Sequence, residues 1–237
     1  MPAKFLIIKN ITREGPGLLS KLLSDLNCQF DIVDMGAGKT ASNLSEYDAL
    51  IVLGGPDSAN DASDKMIAEL KIVKDWLLSD KPYLGICLGM QVLVKAAGGQ
   101  VIKNQVKEIG FHNAAGKPYE IELTSDGVGD PMFAGLPSKF PIFHLHGETV
   151  TLPAEGKLLA RGRWCINQVV KVAPLAYGIQ GHLELERDLL EHWLVADPDL
   201  ATLNSDELIK DFMAWEQATQ PARLTFFKNF INLIQAE

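Results

Sequence analysis

The chain has 237 residues, 47% of them hydrophobic and 22% charged, with 30 acidic against 22 basic residues and a net charge of −8. That is enough apolar material for a well-buried core, and the acidic balance, with no block of Lys or Arg, argues against binding nucleic acid or an anionic membrane. The longest apolar runs, such as Ala49 to Leu53, are too short to span a bilayer; the N-terminal residues lack the zones of a signal peptide; and Cys28, Cys87 and Cys165 form no CxxC pair, which suits a reduced, cytoplasmic setting.

Lys4 to Asn10 is a short apolar run that reads as a buried strand. Leu18, Leu19, Leu22, Leu23 and Leu26 then form a helical stripe behind Pro16. Gln29 to Asp34 reads as a second strand and Ala49 to Leu53 as a third, ended by Gly54-Gly55-Pro56. Asp64 is the expected N-cap of a helix running through Trp76 and Leu78. Pro82 to Cys87 is a fourth strand, followed at once by a helix to Ala97 that Gly98-Gly99 closes. This alternation predicts an α/β fold of three layers, a mostly parallel open sheet with flanking helices.

After Gly99 the spacing changes. Val101 to Val106, Tyr119 to Leu123, Phe140 to Leu145, Leu158 to Ala160, Cys165 to Val172 and Leu175 to Ile179 read as strands, some extending the sheet antiparallel. From Glu184 three amphipathic helices are expected, broken near Asp197-Pro198 and Gln220-Pro221. With no repeat or linker, one domain over residues 1–237 is the economical reading, its C-terminal helices occupying about 184 to 237.

The chemistry concentrates in Tyr83-Leu84-Gly85-Ile86-Cys87-Leu88-Gly89-Met90-Gln91. An apolar strand ends on Cys87 and a helix begins after it. Glycine at −2 and +2 removes the clash that a sharp strand-to-helix turn would cause. Such a turn lifts the thiol above the carboxyl edge of the sheet, where open α/β folds bind ligands, and the helix N-terminus favours thiolate over thiol.

A cysteine nucleophile needs an imidazole to complete its activation and to protonate a leaving amine. His182 lies at a strand end, and Glu184, at the expected start of a helix, can fold back to fix its tautomer. His144, His146 and Glu148 alternate along one strand face, but Gly147 interrupts them and no fourth ligand suggests itself, so no metal is expected. His112 reads as a surface residue and His192 as a packed or solvated one.

Gly85-Ile86-Cys87-Leu88-Gly89-Met90-Gln91 and the downstream His182-Leu183-Glu184 together resemble the nucleophile and closing segments of class I, triad-type glutamine amidotransferases. Leu53 to Ser58 resembles that family's oxyanion loop. Glu108-Ile109-Gly110 and His144 to Thr149 are similar to segments of its GMP-synthase-like branch. The resemblance implies a flavodoxin-like fold and hydrolysis of the glutamine carboxamide through a γ-glutamyl thioester on Cys87. His182 and Glu184 would complete the triad, with the N–H groups of Gly55 and Leu88 as oxyanion hole. Gly54, Gln91, His146 and Gly147 would border the substrate.

Two positions depart from the family pattern: Gly181 stands where an aromatic residue is usual, and Leu183 replaces proline. No cofactor is implied. Gly36 to Thr40 lacks P-loop spacing, so an ammonia acceptor would belong to a separate synthetase chain. A γ-glutamyl peptidase or hydrolase with the same triad is the nearest alternative; a non-catalytic binding or redox-sensing module on this fold is the other.

Overall fold

The computed structural model describes residues 2–234. The first half alternates as β1 (Lys4–Lys9), α1 (Leu18–Asp25), β2 (Gln29–Asp34), β3 (Ala49–Val52), α2 (Asp64–Leu77), β4 (Tyr83–Ile86) and α3 (Leu88–Ala96). Then come β5 (Gln100–Gly110), β6 (Glu120–Leu123), the one-turn α4 (Ser125–Val128), β7 (Lys139–Pro141), β8 (His144–Thr151), β9 (Lys157–Arg161), β10 (Val169–Ala173) and β11 (Ala176–Ile179). Two helices follow, α5 (Arg187–Ala196) and α6 (Ser205–Asn232).

Nine strands form one sheet in the order β2-β1-β3-β4-β11-β10-β9-β6-β7. The pairs from β2 to β11 are parallel and those from β11 outward are antiparallel, giving the mixed α/β sheet expected. Strands β3 and β4 are buried on both faces, as parallel strands covered by helices must be. Two apolar cores result. One packs α1 and α6 against one face, and the other packs α2 and α3 against the opposite face. β5 and β8 pair apart from this sheet, as a ribbon beside the cleft.

Several boundaries differ from expectation. Ser63, not Asp64, caps α2, its hydroxyl accepting from Met66 N at 3.3 Å. Phe140 to Leu145 is not one strand: it is split between β7 and β8 where Ile142 N bonds Tyr119 O at 3.0 Å and the chain leaves the main sheet. The strand expected from Cys165 begins only at Val169. Glu184 precedes α5 rather than starting it.

The break expected at Gln220-Pro221 is absent: α6 runs through Pro221. Proline within a helix costs about 3 kcal/mol. Phe212 and Trp215 are buried before it, and Phe226, Phe227 and Phe230 after it. At about 1.5–3 kcal/mol for each large apolar side chain, that burial outweighs one lost hydrogen bond. Residues 235–237 of the expected C-terminal helix lie outside the described residues.

Candidate active site

The cleft opens at the carboxyl ends of β3, β4 and β11, where the sheet presents Gly55, Cys87 and His182 to a cavity of about 370 Å³. That volume lies within the range of small-ligand pockets.

Cys87 holds φ 52° and ψ −108° between β4 and α3. A non-glycine residue adopts such a backbone only when its surroundings over-determine it, and here two glycines do so. A β-carbon on Gly85 would lie 2.6 Å from Met90 N and would collide with the Gly89 backbone; one on Gly89 would collide with Val52 O of β3. Cys87 N donates to Ile179 O at 2.8 Å, fixing the turn to β11. Leu88 is the first residue of α3, so its N–H has no partner within the helix, and Gly55 lies across from it in the loop after β3.

Opposite the thiol, His182 Nδ1 lies 2.7 Å from Glu184 Oε1, both side chains being 3% exposed. Burial alone would lower the imidazole's affinity for protons. The Glu184 carboxylate and the Cys87 sulfur outweigh it, so His182 titrates well above the usual histidine range. His182 Nε2 has no hydrogen-bond partner among the described residues. Gly54 separates the two arms: a β-carbon there would lie 3.2 Å from His182 Cε1 and 3.4 Å from Cys87 Cβ. Gly54 is therefore a spacer behind the cavity rather than part of its lining.

The backbone around Glu184 is clamped from two remote elements. Arg223 of α6 donates through Nε to Leu183 O at 2.7 Å and through a terminal nitrogen to Leu185 O. Leu18 N, opening α1, donates to Glu184 O at 2.9 Å. The Arg223 guanidinium is buried, stacks 4.2 Å from the Trp215 ring, and is pushed down to about 10 by that burial, Glu184 opposing the shift. Leu183 is 1% exposed and belongs to the same apolar core as Phe226 and Phe227. The stiffness that proline would confer is supplied by burial and by Arg223.

Gly181 also has a local cause: a β-carbon there would lie 2.5 Å from Ile142 Cδ1 and 2.9 Å from Phe143 O. No side chain fits.

Gln91 and Gly147 line the cavity. The His146 ring turns inward, with Nε2 2.9 Å from Glu108 Oε2 and Nδ1 donating to Glu148 O at 3.0 Å. Position 146 therefore meets the cavity without presenting a free imidazole. The Glu148 carboxylate accepts from Ser58 Oγ at 3.0 Å. Among the described residues, the group whose ligand atoms could converge on a metal is Glu108, His144 and His146, all within 4.8 Å of one another. Gln168 already donates to Glu108 Oε2 at 3.0 Å. His144 is neutral, held well below the usual range first by burial and then by His146 and His182. His112 pairs with Asp211 at 2.9 Å, and His192 bonds Asp188 O within α5.

Gln180 escaped the sequence reading. Fully buried after β11, it donates to Cys87 Sγ at 3.5 Å and accepts from Gln91 Nε2 at 3.4 Å. Its position two residues before His182 was the available signal. Nothing local in the sequence marks Arg223.

A sheet that carries a strained cysteine turn facing a buried histidine–carboxylate pair has the architecture of the cysteine-nucleophile α/β hydrolases. The chain belongs to the class I glutamine amidotransferase family, whose model matches residues 17–196. It is 26% identical over 204 residues to the glutamine amidotransferase-like protein YfeJ of Salmonella typhimurium, covering 82% of each chain. Over 148 residues it is 32% identical to a γ-glutamyl-L-1-hydroxyisopropylamide hydrolase of Pseudomonas sp, covering 60% of this chain and 48% of that one. The match to the Aeropyrum pernix GMP synthase is 30% over 188 residues, 75% of this chain but only 33% of the synthase. The fold matches the crystal structure of a glutamine amidotransferase from Thermotoga maritima with a TM-score of 0.87 over the full length of both chains, at 23% identity. Among the described residues no helix is long and apolar enough to cross a membrane.

Proposed function

We propose that this protein hydrolyses a γ-glutamyl carboxamide, glutamine being the simplest, through a thioester on Cys87. The observation that carries this reading is the strained Cys87 turn set across one glycine from a buried His182–Glu184 pair. Cys87 Sγ attacks the carboxamide carbon, and the N–H groups of Gly55 and Leu88 receive the developing oxyanion. His182, holding the thiol proton on Nε2, passes it to the departing nitrogen as the C–N bond breaks. Water then enters; His182 takes its proton, hydroxide attacks the thioester, and glutamate leaves as the proton returns to sulfur. Glu184 holds Nδ1–H and stabilises the imidazolium. Gln91 and Gly147 border the glutamyl head, and Gln180 donates to the sulfur.

The test is release of glutamate from glutamine and from γ-glutamyl amides by the purified chain. Wild type should turn over at least one, and Cys87→Ala none; a Cys87→Ala variant as active as wild type ends this reading. Similarity to the Pseudomonas hydrolase favours a second reading within the same chemistry, in which a substituted γ-glutamyl amide is the physiological substrate. Similarity to a glutamine-hydrolysing GMP synthase subunit from Pyrococcus abyssi, 33% over 138 residues, supports a separate synthetase chain as a partner when glutamine is the substrate.

A further inference from the structure

Gln91 and Gly147 border the glutamyl head in the reading above, and the same cavity is also lined by Arg13, Glu14, Asp197 and Pro198, of which Glu14 lies nearest His182. A β-carbon on Gly54 would lie 3.2 Å from Glu14 Oε2 and 3.2 Å from His182 Cε1, so a single glycine's width separates carboxylate from imidazole. No side-chain hydrogen bond acts on the Glu14 carboxylate among the described residues, only burial and the charges around it. Burial pushes it up to about 7, with His182 and Arg13 opposing and Glu184 and Asp197 adding to the shift. Arg13 Nε, on the same wall, is also buried without a partner. Asp199 nearby is neutralised by Lys107 at 2.8 Å. Asp197 Oδ1 already accepts from Asp199 N at 3.0 Å and Leu200 N at 3.1 Å, so Glu14 is the carboxylate left to a ligand.

The proton that leaves with the amine comes from His182, so the departing nitrogen must stand against Nε2. A substituent on that nitrogen has to occupy the part of the cavity next to His182, whose lining includes Glu14. Departing ammonia would leave that part of the cavity empty. From this geometry we infer that Glu14 is a specificity-determining residue for the leaving amine, and that the favoured substrates are γ-glutamyl amides whose amine carries a second, protonated nitrogen. The inference rests on the hydrolysis proposed above. It adds no step to it: the same C–N bond breaks, and the amine leaves with the proton from His182. A bound ammonium would complete the carboxylate with a charge-assisted hydrogen bond, which is roughly twice as strong as a neutral one.

The experiment compares kcat/KM of the full chain on mono-γ-glutamyl-1,2-diaminoethane, its uncharged isostere γ-glutamyl-propylamide, and γ-glutamylglycine. Wild type should prefer the diamine over the propylamide by roughly tenfold or more, chiefly through KM. Glu14→Gln should collapse that ratio toward one, and Glu14→Lys should move the preference to γ-glutamylglycine. Equal turnover of all three by wild type, or a Glu14→Gln loss shared equally by every substrate, overturns the assignment of Glu14 while leaving the hydrolysis intact. Failure of wild type on every γ-glutamyl compound, glutamine included, overturns both.

Discussion

Residues 85–89 and 180–185 face each other across the cleft and are held in unlike ways. The cysteine turn is fixed by its neighbours in sequence: two glycines let strand, turn and helix close on one another, and its backbone rests against the adjacent strands β3 and β11. The segment carrying His182 and Glu184 has no regular structure of its own. It is held by Phe143 O on His182 N, by Leu18 N on Glu184 O, and by a buried arginine from α6. The nucleophile is therefore built by local sterics, and its base by long-range hydrogen bonds that exist only once the chain has folded.

The sharpest way to break the first arm is Gly85→Ala. The added methyl meets backbone that cannot move, so we expect a loss of about 3 kcal/mol or more in urea unfolding, with hydrolysis abolished. A stable, active Gly85→Ala protein would mean the turn is not sterically closed. Arg223→Met breaks the second arm. It keeps much of the apolar stem but leaves Leu183 O and Leu185 O buried without their donor, at a cost of about 2–3 kcal/mol. Hydrogen exchange should quicken across 180–185 and stay slow across 85–91; equal quickening in both would contradict the division.

The pH dependence separates the arms further. Because His182 binds its proton more tightly folded than unfolded, its contribution to stability is complete below the unfolded value of about 6.5. It is lost as pH rises through the raised folded value. Stability should therefore fall on the alkaline side, and Glu184→Gln should flatten that fall; an unchanged slope would show that the carboxylate does not hold the imidazolium. Gln180→Met should have the smallest effect. It removes the donor to Cys87 Sγ, so hydrolysis drops several-fold, by about 1 kcal/mol of barrier, while unfolding shifts little because Gln91 keeps its bond to Glu148 O.

The same division decides what could be read from the sequence. Gly85, Cys87 and Gly89 were legible because the constraint linking them spans five residues. His182 and Glu184 were legible as a pair of residue types, but not in how they are held: Glu184 looked like a helix start, and its true supports lie in α1 and α6. Pro221 was misread because a local penalty was weighed without the phenylalanines buried beyond it. Gln180 was overlooked because a buried amide shows its purpose only when the sulfur and Gln91 appear beside it. Gly181 looked like a departure from pattern until Ile142 and the Phe143 carbonyl showed how close its neighbours stand.

The most direct test is covalent. An isotope-labelled electrophile that mimics glutamine should leave one adduct, located by peptide mass spectrometry on Cys87. Excess glutamine or a γ-glutamyl amide should prevent it, and His182→Ala should slow it by an order of magnitude or more. Labelling that falls on Cys28 or Cys165, or that proceeds on Cys87 at the same rate without the imidazole, would contradict the account.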